Sequence, residues 1–117
     1  MGWIVHHAIV ITTHTRELAD RAYTAAAAIF PTVTPPVPSA LNNYWTLLIP
    51  PDGSKEGWPA SAAGDAQRVA LYAWLATQAD AYGSSRYTAC TLMYEEVDPP
   101  TVTHLNGIRI APDPTSW

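Results

Sequence analysis

Seven consecutive residues, Asp52-Gly53-Ser54-Lys55-Glu56-Gly57-Trp58, gather two glycines, a hydroxyl, the chain's single lysine and an indole. Each type has a use at a site for a phosphorylated ligand. Glycines let backbone N–H groups converge on an anion. Lysine supplies a point charge for phosphate, and tryptophan gives a base a face to stack on. Asp65 and Arg68 follow in the first turns of an expected helix. A helix N-terminus favours anions through its free N–H groups and its dipole. The expected ligand-binding set is therefore Ser54, Lys55, Trp58, Asp65 and Arg68. Arg86, in Gly83-Ser84-Ser85-Arg86-Tyr87, could add a second guanidinium. The Gly-x-x-x-x-Gly-Lys-Ser/Thr spacing of a P-loop is absent. The competing reading is ordinary: 52–58 is a solvated turn with Trp58 capping the core, and 83–87 is a helix stop before a strand.

No catalytic constellation is legible. The histidines are His6, His7, His14 and His104. Two-histidine phosphoesterase chemistry uses a pair of His-x-Thr/Ser motifs, so that one imidazole is base and the other acid. Here His7 is followed by Ala8-Ile9, His14 by Thr15-Arg16 and His104 by Leu105-Asn106. No spacing suggests a metal site, which needs three or four convergent ligands, and no cofactor is implied. Glu95 and Glu96 on a strand would point to opposite faces. Cys90 reads as a buried, inert thiol, and no Gly-x-Ser-x-Gly elbow holds a serine. A phosphodiesterase acting through His7 and His104 stays as the enzymatic alternative.

The elements that must position these residues follow from periodicity. Residues 3–12 read as a strand, with Val5, Ile9, Val10 and Ile11 β-branched and both faces apolar. Thr15 and its neighbours offer caps for a helix over 15–29, whose stripe is Leu18, Ala22, Ala25, Ala26 and Ile29, stopped by Pro31. The proline-rich stretch 31–40 fits a sheet edge at most. A strand is expected over 43–49, then the polar loop, then a helix from Ser61 to Tyr82 with Gly83 as its stop. A strand over 86–97 and a hairpin over 102–110, turning at Asn106-Gly107, complete the order, with an irregular tail from Pro112. This predicts one α+β domain: a two-layer sandwich with a mainly antiparallel sheet, two helices on one face in a ferredoxin-like variant, and a C-terminal β-hairpin.

Composition narrows the partners. The chain has 117 residues, 48% of them hydrophobic and 14% charged, so it can bury a core and is too apolar for disorder. No apolar run approaches the ~20 residues of a membrane span. A net charge of −4 argues against general nucleic-acid binding. One cysteine excludes an internal disulfide framework. The N-terminus lacks the pattern of a secretory signal, so a cytoplasm is expected. Five Trp and six Tyr against one Phe point to a ligand or subunit surface, with Trp3, Trp58 and Trp117 near element ends. The 19 Ala and 11 Pro beside one Lys suggest a high-GC genome.

The stretch Leu48-Ile49-Pro50-Pro51-Asp52-Gly53-Ser54-Lys55-Glu56-Gly57-Trp58, with Ser61, Gly64-Asp65, Arg68, Trp74-Leu75 and the opening His7-Ala8-Ile9-Val10-Ile11-Thr12, resembles small accessory proteins of actinobacterial phages. The resemblance covers the first 95 residues or so and is specific mainly at 50–68. It implies a phage protein acting in the host cytoplasm. One class of such proteins comprises anti-defence sponges, non-enzymatic homo-oligomers that sequester nucleotide-derived immune signals. The expectation is that Lys55 and Arg68 meet phosphate and Trp58 stacks on the base. The alternative is a protein-binding inhibitor of a host target, using the acidic body and the hairpin 102–110.

Overall fold

The computed structural model describes residues 4–80 and 82–110. Trp3, Ala81 and the tail from residue 111, including Trp117, lie outside the described residues. Strand β1 (His6–Thr13) leads into α1 (Arg16–Ile29), where the Thr15 hydroxyl accepts a hydrogen bond from the Leu18 N–H at 3.1 Å. That bond satisfies one of the amides a helix leaves unpaired at its start. The short β2 (Val37–Pro38) is an edge strand, as its proline requires. β3 (Trp45–Ile49), α2 (Pro59–Ala76), β4 (Thr88–Tyr94), β5 (Thr101–Leu105) and β6 (Ile108–Arg109) follow. The sheet is six-stranded and antiparallel throughout, in the order β2-β3-β1-β4-β5-β6. The architecture is α+β: an open antiparallel sheet and two helices.

Register explains which side chains enter the core. β1 pairs Ile9 with Ile49 and Thr91, and Ile11 with Leu47 and Ala89. These residues therefore share one face. Ala22 and Ala26 of α1 and Leu71 and Leu75 of α2 close over them, so both helices lie on that side. The alanines let α1 approach closely, and Tyr87 reaches across to donate a hydrogen bond to the Leu18 carbonyl at 2.7 Å. Burying a side chain such as Ile11 or Leu71, both fully buried, contributes about 1.5–3 kcal/mol each.

Two boundaries of α2 differ from expectation. The helix starts at Pro59 with Trp58 as a cap residue that makes no side-chain cap bond, and Ser61 is buried inside the first turn. Proline at the first position needs no partner for a missing N–H. The helix ends at Ala76, and the Thr77 hydroxyl bonds back to the Trp74 carbonyl at 2.6 Å. Gly83 stops no helix. It sits at φ +80° in a turn built on Asp80, whose Oδ1 accepts the Tyr82 and Ser84 N–H groups.

Candidate functional site

β1 enters the sheet with His7 on the same face as Ile9, but beyond the cover of the helical core. Three cavities, of about 200, 690 and 230 Å3, meet at this residue. α2 supplies Asp65, Arg68 and Tyr72 from above, the 50–58 loop supplies Asp52 and Glu56, and β4 supplies Thr91 and Met93. β5 and β6 supply His104 and Arg109.

His104 reaches this face because of a β-bulge. Thr91 pairs with His104, but Leu92 pairs with Val102, so Thr103 is the extra residue. In an unbulged strand, His104 would share the opposite face with Val102. His7 and His104 thus flank β4. They lie roughly 12 Å apart at Cα, two strand spacings across and two residues along. Each ring has a partner. His7 Nε2 lies 3.7 Å from Glu56 Oε1, and His104 Nδ1 lies 2.8 Å from the Thr103 hydroxyl. Tyr72 stacks on His104 with ring centroids 4.6 Å apart, and its own hydroxyl bonds to that of Thr91 at 2.8 Å. Thr103 also faces the Thr91 carbonyl at 3.4 Å. When its single proton goes there, Nδ1 must donate, and Nε2 of the neutral ring keeps its lone pair.

Both imidazoles are biased toward the neutral form. Burial lowers the His7 pKa, Arg68 lowers it further, and Glu56 opposes them. Burial also lowers that of His104, with help from Arg109 and Arg68. Arg68 is the central cation. It bonds to Asp65 one turn away, and its side chain is 12% exposed. Asp52 approaches from the other side. Burial raises its pKa, but the Ser54 hydroxyl and N–H, with Arg68 and His7, outweigh that and hold it below the usual value. Gly64 makes this convergence possible: a Cβ there would stand 2.7 Å from Asp52 Oδ2 and 3.3 Å from Arg68 Nη1.

The cleft has two chemical ends. Around the 230 Å3 cavity stand Arg68, Arg109, His104, Tyr72 and Thr91, with Asp65, which lines both cavities, ion-paired to Arg68. Around the 690 Å3 cavity stand Glu56, Asp65, Glu95 and Asp98, over a floor of Val5, Met93, Tyr94, Pro99 and Pro100. Among the described residues, no group of three or more His, Cys, Asp or Glu could hold a metal ion.

Of the six residues singled out from the sequence, Asp65 and Arg68 line the cleft. Ser54 stands behind it, donating from its N–H and hydroxyl to Asp52 Oδ1 at 2.8 and 2.6 Å. That Asx turn occupies the hydroxyl expected to meet an anion. Lys55 lies over the ring of Trp58, with Nζ 5.4 Å from the centroid, and neither lines the cavities that meet at His7. Arg86 is at the other end of β4, exposed, with its carbonyl accepting from the Thr13 hydroxyl. His7, His104, Tyr72, Thr91 and Arg109 were not singled out as ligand residues. The odd-numbered parity of His7, Ile9 and Ile11 was a usable signal for the first. The bulge that turns His104 inward has no local one.

Among the described residues, no helix is long and apolar enough to cross a membrane. Comparison of the chain with protein-family models, curated proteins and solved structures finds no match.

Proposed function

We propose that this chain is a non-enzymatic binding protein that sequesters a nucleotide-derived small molecule, an anti-defence sponge in the host cytoplasm of the phage setting its sequence resembles. The single observation that carries the reading is the polarity of the cleft. Arg68 and Arg109 at one end suit a phosphate oxygen, since guanidinium donors match phosphate geometry. Carboxylates around an apolar cavity at the other end suit a base, whose exocyclic amino groups donate to Glu and Asp. The combined space falls in the range of small-molecule sites, ~300–1,000 Å3. Asp52 and Asp65 stand against Arg68 and Arg109 and leave this end with little net charge, which favours a phosphodiester carrying one charge per phosphate over a triphosphate. On this reading Lys55 and Trp58 form a rim beside Glu56, and Arg86 takes no part. We read the β4-β1-β3-β2 order as a ferredoxin-like variant extended by the 101–109 hairpin.

The test is a thermal-shift titration with cyclic di- and trinucleotides and ADP-ribose isomers, followed by mass analysis of the recovered ligand. A ligand at 100 times its Kd stabilises by about 2.7 kcal/mol. A shift with intact ligand supports sequestration. No shift across the panel overturns the reading in favour of the protein-binding alternative.

One observation favours a second reading. His7 and His104 share the cleft, both biased toward neutral, with Arg68 lining it beside them. One imidazole as base and one as acid is the requirement for phosphodiester hydrolysis. Recovery of cleaved ligand, lost in His7→Gln, would establish it.

A further inference from the structure

Among the described residues, the paired strand positions on the sheet face opposite the helices hold no Asp, Glu, Lys or Arg. Pairing places Leu48, Val10, Cys90, Leu105 and Ile108 in one row across β3, β1, β4, β5 and β6. The next row is Ala8, Leu92 and Val102. Threonines 12, 46 and 88 and the ring pair His6–Tyr94, 5.0 Å apart, flank these rows. None of these positions holds Asp, Glu, Lys or Arg. Both helices pack on the other side. At the open end of the row, Leu105 is 42% and Ile108 70% exposed. A solvated antiparallel face carries polar residues outward, whereas the two central rows here hold only Leu, Val, Ile, Ala and Cys.

We propose that a second copy of this chain covers this face, packing sheet on sheet about the middle of the Leu48–Ile108 row. Three observations select that occupant. First, the chain carries net −4, so two copies repel unless they meet where neither has charge, and this face is such a place. A strongly charged partner would find nothing here to pair with. Second, the area is of the right order. The four longer strands contribute 8, 5, 7 and 5 residues. At about 4.8 Å by 3.3 Å per residue they span roughly 400 Å2 of flat sheet, or about 800 Å2 for a pair. The edge strands add two residues each, which brings a pair to about 900 Å2, close to the ~1,000 Å2 of a specific interface. Third, the sheet edges are two-residue strands, one with a proline, so edge-to-edge growth is blunted and face packing at ~10 Å remains.

Sedimentation equilibrium of the whole chain tests this. The expected mass is twice 12.7 kDa at about 100 µM. Leu105→Lys, at an already half-exposed position, should sediment as a monomer with an unchanged far-UV spectrum. Because Leu105 points away from His104, the cleft should be unaffected. A second readout needs no variant: Cys90, half-buried in one copy, should react with a thiol reagent at least tenfold more slowly at high protein concentration than on dilution. A monomer at every concentration overturns the proposal. So does a dimer that survives Leu105→Lys, or a chain that dimerises only when residues 111–117 are deleted, which would make its own tail the occupant.

Discussion

Gly107→Ala should be far more costly than the same change at Gly83, and the difference measures how firmly the C-terminal turn is fastened to α2. Both glycines have positive φ, +82° and +80°. Alanine there costs about 1–2 kcal/mol from the left-handed backbone alone. Around Gly83 nothing lies within 4 Å of the added Cβ. At Gly107 that Cβ would stand 2.9 Å from Tyr72 Cβ and 3.1 Å from Tyr72 Cα, atoms that cannot swing aside. Displacing a helix or a hairpin by several tenths of an ångström adds about 1–3 kcal/mol. The expected totals are ~1–2 kcal/mol for Gly83→Ala and ~2–5 for Gly107→Ala, against a total stability of about 6–18 kcal/mol for a chain of this length. Urea unfolding followed by tryptophan fluorescence reads both as midpoint shifts, with Gly107→Ala about 0.5–1.5 M below Gly83→Ala at an m-value near 2 kcal/mol/M. Because Tyr72 stacks on His104, the same variant should also change the His104 ring resonances. Equal midpoints for the two variants would refute the contact between Gly107 and Tyr72, and with it the account of how His104 is held.

Further expectations concern the cleft. Arg68→Met should weaken the ligand by 10- to 150-fold, the equivalent of about 1.5–3 kcal/mol for a charge-assisted hydrogen bond, read by titration calorimetry. Lys55→Ala should change it far less, because Lys55 lies on Trp58 outside the cavities. The His7 pKa is lowered, so between that value and the usual 6.5 the unfolded chain holds more protons than the folded one, and stability rises with pH. Tm should therefore fall on going from pH 7.5 to 5.5, and His7→Gln should flatten the slope. A Tm that is level or higher at pH 5.5 would contradict the burial of a neutral His7. Thr103→Val removes the hydroxyl at His104 Nδ1 and should shift the tautomer balance seen in nitrogen chemical shifts, at a cost of about 1–3 kcal/mol.

Local rules carried most of the fold. The Asn106-Gly107 turn, the alanine face of α1, the β-branched Ile9-Val10-Ile11 within 3–12 and the apolar run within 43–49 each specify their element from a few residues. Proline confined 31–40 to an edge. What escaped was set by competition between neighbouring signals and, for His104, by a distant strand. Gly83 has the chemistry of a helix stop, but an aspartate three residues earlier uses it in a turn of its own. Ser61 has the chemistry of a cap, but Pro59 begins the helix first. In the site, Asp65 and Arg68 are neighbours on one helix and could be read together. Ser54 looked available to a ligand because its partner, Asp52, is as easily read as solvated. His104 could not be placed, since the inserted Thr103 reverses the alternation of β5 and is defined only against β4.

Arg68 lies at the cationic end of a cleft whose other end is acidic and large enough for a base, and the proposed function depends on that placement. The most direct measurement is a paired titration of the unaltered chain and Arg68→Met with the panel of cyclic nucleotides and ADP-ribose isomers, analysing the recovered ligand by mass. Saturable binding of one compound by the unaltered chain, weakened at least tenfold in Arg68→Met and returning the compound intact, is the expected result. Binding that is unchanged in Arg68→Met, or no binding of any member of the panel, would contradict it.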